Sequence, residues 1–477
     1  MVPMRIDRMK RLVIYFHYDA QGLLDGPCRF AVEALLSLAE VFLVTNGTLR
    51  QDDHVWAAEH NVQVLERDNV GLDVGAYRQA LLTLGREQVA SYDELVLMNY
   101  TLAGPVCPLE KMFREMEQRN TLDFWGLTRH YAMQSRRFGG SVPEHLQSHF
   151  LAVRQPMMRQ DAFWEYWEQM KLPQSYEESI ICHETRFTDY FEKQGFVWDS
   201  YVQTADLKAI FVNPIMACPR ELVEHRACPF FKRRSFFTPY EDELRRTDGN
   251  AAKDLYEYLS RETDYPIDDL IQALLKDHTL SAMGKNMHWH YLLPCAEKTA
   301  PEPWEESDLC LIRFESPVCD AVSQWYLQQS AEQAEKQLLQ IKDLFRRFPM
   351  LGVAAPELPL WPQAIRVNYT QWEKDYTWLK HQVSVPLDNE PPLPLLAGWV
   401  LVRKAAFPEG IPAVSNIRDA WLLPLQAQQN GYYSATFESC AQAAARAEPY
   451  TAGVLKAGKI GSVAKQLGRL IKHKILR

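Results

Sequence analysis

Short apolar runs alternate with amphipathic segments through the first hundred residues, and this alternation constrains the fold more than any other feature of the chain. Residues 12–16 are a strand-type run closed by His17, Tyr18 and Asp19, with turn formers at Gly22 and Gly26. Residues 28–40 carry apolar side chains at helical spacing, 41–45 read as a second strand ending at Asn46, and 62–65 as a third. A glycine-punctuated turn with Asn69, Gly71, Asp73 and Gly75 then leads into an amphipathic segment. Residues 94–98 form another strand, ending on Asn99, Tyr100 and Thr101. Such alternation predicts a parallel sheet with helices on both faces and right-handed crossovers. Open α/β sheets bind ligands at the polar carboxyl ends of their strands.

Farther along, 123–128 and 149–153 read as strands, joined by a polar link with Arg136, Arg137, Gly139 and Gly140 that reads as a mobile loop. Helical periodicity covers 161–170 and 179–194, with Gly195 as a C-cap before a return to extended chain. The proline-, aromatic- and base-rich stretch 214–239 suits a lid or a packing strap, and helices follow at 250–261 and 267–276. The acid- and proline-rich stretch 298–306 is the linker candidate. The expected organisation is an α/β domain over 1–297, the linker 298–306, a smaller second α/β domain over 307–440, and a basic segment over 441–477.

The length of 477 residues calls for two or three domains, and a net charge of −9 argues against a general nucleic-acid binder. No stretch is long and apolar enough to span a bilayer, and no export signal opens the chain. The nine cysteines form no CxxC pair, which suits reduced thiols in the cytoplasm. Residues 454–477 place apolar side chains largely on one helical face and carry seven Lys and Arg with no acid. Such a C-terminal amphipathic helix reads as an anchor to an anionic membrane surface, or else as a solvated cap.

Seven blocks, in order, give the first 290 residues a more specific identity. They are residues 15–19 (Tyr-Phe-His-Tyr-Asp), 69–77, 92–99, Gly104-Pro105, 123–128, 145–151 and 228–234 (Cys-Pro-Phe-Phe-Lys-Arg-Arg). Together they resemble the rhamnan synthesis protein F family of bacterial polysaccharide glycosyltransferases. The resemblance implies a GT-A-like, Rossmann-type mixed sheet flanked by helices. It also implies transfer of a sugar, often rhamnose (with dTDP-rhamnose a candidate donor), to a lipid-linked glycan in O-antigen or capsular polysaccharide assembly. The protein would then be peripheral on the inner face of the cytoplasmic membrane. The second half matches more loosely, around 344–356 and 396–406, which implies a reduced second transferase-like domain.

A nucleotide-sugar site must hold a nucleoside and a diphosphate and leave the sugar open to an acceptor hydroxyl. His17, Tyr18 and Asp19 end the first strand and are candidates for the nucleoside. The turn of Asn69, Gly71, Asp73 and Gly75 lets backbone approach a ligand and precedes a helix N-terminus that favours phosphate. Asp73 either accepts from the nucleoside or caps that helix. Asn99 and Thr101 complete the donor set.

The family's acidic residue after the asparagine is replaced by Tyr100, which puts the usual Mg²⁺ or Mn²⁺ in question. Arg136, Arg137, Lys232 and Arg233 are the basic residues that could meet the diphosphate instead. Glu184 is the candidate general base and Asp189 the runner-up, against a solvated helix-start glutamate. Gln147, Ser148 and His149 are candidates for the acceptor side, with a core role open for His149. The alternative function is a catalytically weakened glycan- or nucleotide-sugar-binding scaffold of an assembly complex.

Overall fold

The computed structural model describes residues 9–135, 140–238, 249–294, 308–318, 320–358, 362–440 and 442–444. Arg136, Arg137, the linker 298–306 and the basic segment 454–477 lie outside the described residues. The chain divides into two compact units, 1–273 and 274–477.

The first unit is built on strands β1 (Arg11–Tyr18), β2 (Glu40–Asn46), β3 (Gln63–Arg67), β4 (Glu94–Asn99), β5 (Leu102–Ala103), β6 (Phe124–Gly126), β7 (Phe150–Arg154), β8 (Trp198–Ser200) and β9 (Phe231–Lys232). Among the described residues, seven of these make one sheet in the order β3-β2-β1-β4-β7-β6-β8, while β5 and β9 form a separate pair. β1, β2, β3 and β4 run parallel. β7 is antiparallel to both β4 and β6, and β8 is parallel to β6. The sheet is therefore mixed, a parallel half joined through one reversed strand to a second half, as expected of a GT-A-like architecture.

Both faces of the sheet are covered, which explains why its strands read as near-continuous apolar runs. Period-2 alternation sends Leu12, Ile14 and Phe16 into one core cluster and Val13 and Tyr15 into the other. Helix α1 (Gly26–Leu36) covers one face, starting at Asp25, whose side chain accepts from the Cys28 N–H. Helix α2 (Gln51–Glu59) follows β2, and α3 (Leu72–Leu84) buries Ala76, Tyr77, Ala80 and Leu81 in the other cluster.

Glu94, which opens β4, is fully buried against Arg11 (2.7 Å), Arg154 (3.1 Å) and the Trp125 indole N–H (2.8 Å). This buried network braces the amino end of β4, opposite Asn99.

The polar link after β6 is more ordered than expected. Met133–Ser135 pairs with Gly140–Val142, and His145–Leu146 pairs with Arg129–His130. The Arg129 guanidinium accounts for part of this, because it pairs with both Glu144 and Asp199.

Among its described residues the second unit carries five strands: β10 (His290–Leu293), β11 (Leu309–Arg313), β12 (Leu351–Pro356), β13 (Trp399–Arg403) and β14 (Tyr433–Ser439). Their order is β10-β14-β12-β13-β11. The expected first domain, 1–297, thus ran past the division at 273/274. His290–Leu293 hydrogen-bonds in register with residues 436–439 of β14, so it belongs to the second sheet. No helix of the described residues is long and apolar enough to cross a membrane.

Candidate functional site

The parallel strands of the first unit end on polar side chains, and these ends gather the candidate residues. At the end of β2, Asn46 donates to Asn69 (2.9 Å) and accepts from Arg67 at the end of β3. This holds the turn before α3. Gly71 adopts φ +76°, a left-handed conformation glycine takes without penalty, and Gly75 packs so tightly that a Cβ there would lie 2.4 Å from the Val70 carbonyl oxygen. Asn69, Gly71 and Gly75 therefore build the turn that aims Asp73 at the end of β4.

Asp73 sits in a hydrogen-bond relay. Asn99 Nδ2 donates to Asp73 Oδ2 (3.0 Å), while Asn99 Oδ1 accepts from the Thr101 N–H (3.2 Å) and hydroxyl. Lys232 Nζ donates in turn to Thr101 Oγ1 (3.1 Å). Asp73 Oδ1 accepts from the Val74 N–H (3.0 Å) and the Ser179 hydroxyl (3.4 Å). Burial and the charge of Glu184 raise the Asp73 pKa from its ordinary value, against the hydrogen bonds and Lys232.

Glu184 reaches the same place from a helical segment that packs on the same face of the sheet as α3. The expected single helix over 179–194 is instead Tyr176–Ser179, a π-helical turn Ile180–Glu184, and α4 (Thr185–Glu192). π turns concentrate at functional sites, and this one ends on Glu184. Glu184 Oε2 accepts from both the Ser148 N–H (3.1 Å) and hydroxyl (2.8 Å), and Oε1 lies 3.6 Å from His145 Nε2. Burial works to raise its pKa, but His145, the Ser148 donors and Lys232 outweigh burial and hold it well below the usual range. Asp73 thus feels the charge of Glu184, while their environments move the two pKa values in opposite directions.

Histidines surround Glu184. His145 Nδ1 lies 2.7 Å from the Pro143 carbonyl oxygen, so that nitrogen carries the proton, and the ring stacks on His130 at 5.1 Å. Burial, then His145, lowers His130 to about 4. His149 is fully buried, with Nε2 3.3 Å from the Thr128 hydroxyl, and burial and Lys232 hold its pKa well below the ordinary imidazole value. Gln147 bonds Thr128 (2.9 Å), so Gln147 and His149 brace the strand behind Glu184 while Ser148 touches it.

Several expected residues stand elsewhere. His17 is buried, one ring nitrogen on Thr45 (3.1 Å) and the other on the Leu23 carbonyl (3.2 Å); both edges belong to the protein, which leaves none for a nucleoside. Asp19 accepts from the Gln21 and Leu23 N–H groups and forms the following turn. Tyr18 is only partly buried at the strand end. Asp189 pairs with Lys193 one turn on, outside the cluster. Arg233 is buried and paired with Asp25 at the start of α1, so it fastens the strap and is not turned to a ligand.

Tyr100 packs edge-on against Phe16 (5.9 Å) and His17 (5.8 Å), and burial raises its phenol to about 12, so it supplies no anionic oxygen at neutral pH. Sequence reasoning overlooked Asn46, His130, His145 and Ser179. Asn46 was legible by the same strand-end logic that picked out Asn99; His145 lay in a quoted block without a role.

A groove of about 560 Å³ runs beside the turn, lined by Gly47, Thr48, Glu66, Arg67, Asp68 and Gln79 among others; it contains none of Asp73, Asn99 or Glu184. The groove is therefore separate from the carboxylate cluster, on the other side of the turn.

A family model described as rhamnan synthesis protein F matches residues 41–311, more than half of the chain. An uncharacterized protein, y4gN, of Sinorhizobium fredii is 24% identical over 237 residues, which is 49% of this chain and 59% of the relative's own length. Among solved structures, mouse xyloside xylosyltransferase 1 is 12% identical over 40% of this chain and 85% of its own, with a TM-score of 0.25. The mannosyltransferase PcManGT from Pyrobaculum calidifontis, in complex with GDP-Man and Mn²⁺, is 10% identical over 40% of this chain and 55% of its own, with a TM-score of 0.28.

Proposed function

Because the chain belongs to the rhamnan synthesis protein F family, we propose that its first unit is a glycosyltransferase acting in polysaccharide assembly. In this reading it moves a sugar, rhamnose or another deoxyhexose, from a nucleotide donor to a lipid-linked glycan. The observation that carries the proposal is the cluster of Asp73, Glu184 and Lys232 at the carboxyl ends of the strands, where open α/β sheets place ligands.

In an inverting transfer the acceptor oxygen bonds to C1 of the sugar as the C1–phosphate bond breaks, the nucleoside diphosphate leaves, and the acceptor proton passes to a base. Glu184 is that base. It is ionised at neutral pH, and Ser148 fixes its orientation through one carboxylate oxygen, leaving Oε1 toward His145. A low pKa makes a weak base. A diphosphate arriving beside it adds negative charge, which raises the Glu184 pKa when it is needed. Asp73, aimed by the Gly71–Gly75 turn and Asn99, serves the donor side.

A second reading, a weakened sugar-nucleotide-binding scaffold, is favoured by one feature: Tyr100 stands where the family's acidic residue is expected. Thermal-shift screening of the full chain against nucleotide sugars tests the proposal, because a ligand that binds only the folded state must raise the Tm. Stabilisation by one donor class, followed by release of its nucleoside diphosphate, is the expected result. Stabilisation without turnover favours the scaffold, and no shift with any donor contradicts both.

A further inference from the structure

The metal implied by the family resemblance does not fit the residues present. A divalent cation needs several free oxygen ligands, with one or two carboxylates among them. Both Asp73 oxygens already accept hydrogen bonds, from Val74 and Ser179 on one and Asn99 on the other. Oε2 of Glu184 accepts two from Ser148. Asn99 Oδ1 and Thr101 Oγ1 are bonded to each other. Among the described residues no group of three or more His, Cys, Asp or Glu is arranged to hold a metal ion.

An ammonium group stands in this place instead, and the surrounding structure is built to deliver it. Pro229 to Lys232 fold back as a strap on the end of β4: β9 pairs with β5, placing Lys232 opposite Leu102. Gly104 makes the approach possible, since a Cβ there would lie 2.5 Å from the Pro229 carbonyl oxygen, and Gly104 holds φ +136°. Phe230 and Phe231 are fully buried and seat the strap in the core.

The strap's next two bases are committed elsewhere. Arg233 pairs with Asp25, and Arg234 bonds the Tyr176 hydroxyl (3.1 Å) and lies over its ring. Lys232 alone of the three reaches the relay, 3.1 Å from Thr101 Oγ1, and its charge is felt by Asp73, Glu184 and His149.

We propose that Lys232 supplies the positive charge that holds the donor's diphosphate, so that this site binds a nucleoside diphosphate without a divalent metal. A fixed ammonium acts as a point charge on phosphate oxygens, and a second cation beside it would be repelled. The inference rests on the glycosyltransferase reading, and the test separates the two.

Isothermal titration of the full chain with UDP, dTDP, GDP and ADP is run in EDTA and again with Mn²⁺. At least one nucleotide binds in EDTA with an affinity within about twofold of that with Mn²⁺, Lys232→Met weakens it by about 10- to 100-fold, and Lys232→Arg recovers most of the loss. Unchanged melting of the ligand-free variants shows that the loss is not misfolding; if Lys232→Met melts early, the Lys232→Arg titration and the EDTA comparison on the wild type decide. Binding that needs Mn²⁺ and disappears in EDTA, or that survives Lys232→Met unchanged, overturns the inference and leaves the glycosyltransferase reading standing. No binding of any of the four in either buffer overturns both.

Discussion

His183 and Glu184 are neighbours in the same π turn, and their surroundings push their titrations below the usual range for different reasons. His183 Nδ1 lies 2.7 Å from the Tyr166 hydroxyl, and burial lowers its pKa to about 3. Its folded pKa lies below its unfolded value of about 6.5, so the unfolded chain takes the proton first. Stability is then full above pH ~6.5 and falls as the pH drops toward 3, by about 2 kcal/mol at pH 5 from this residue. Glu184, also depressed, contributes stability above about pH 4.5 that is lost only below it, so the two windows are distinct. Urea melts of wild type and His183→Gln at pH 7 and pH 5 measure the first window. The variant loses less stability between the two pH values; parallel losses would show that His183 is not held neutral.

At the scale of elements, the strap and the π turn bring together residues that are far apart in sequence. Replacing Gly104 with alanine drives a Cβ against the Pro229 carbonyl at a φ that only glycine tolerates well, which destabilises the protein by about 2–4 kcal/mol. Denaturant titration checks this, and a change under about 0.5 kcal/mol would mean that the strap does not approach so closely. The strands and turn of the first unit were legible because buried parallel strands are continuous apolar runs and the turn is marked by glycines. The π turn was not, because it keeps the helical spacing of its neighbours and differs only in hydrogen bonding. Nor was it legible which of the adjacent bases Lys232 and Arg233, both diphosphate candidates, faces the relay: their partners, Thr101 and Asp25, are more than a hundred residues away. In the second unit, β10 and β14 escaped notice, since β10 is four residues long and its pairing is wholly non-local.

For the whole molecule, the two units are distinct sheets, and the candidate chemistry lies in the first, which holds most of the family match. The sequence of the basic segment 454–477, which lies outside the described residues, carries the expectation of attachment to anionic lipid. Deleting it shifts the protein from the membrane to the soluble fraction on centrifugation, and unchanged fractionation would leave the segment as a cap. The central claim is that a glycosyltransferase uses Glu184, fixed by Ser148 and set against Asp73, as its base. It is tested most directly by the single-turnover transfer rate of Glu184→Gln against wild type with the donor that binds best. The rate falls by about 100-fold or more while donor affinity stays within about threefold, as loss of a general base requires. A variant that transfers sugar within about twofold of the wild-type rate would contradict the account.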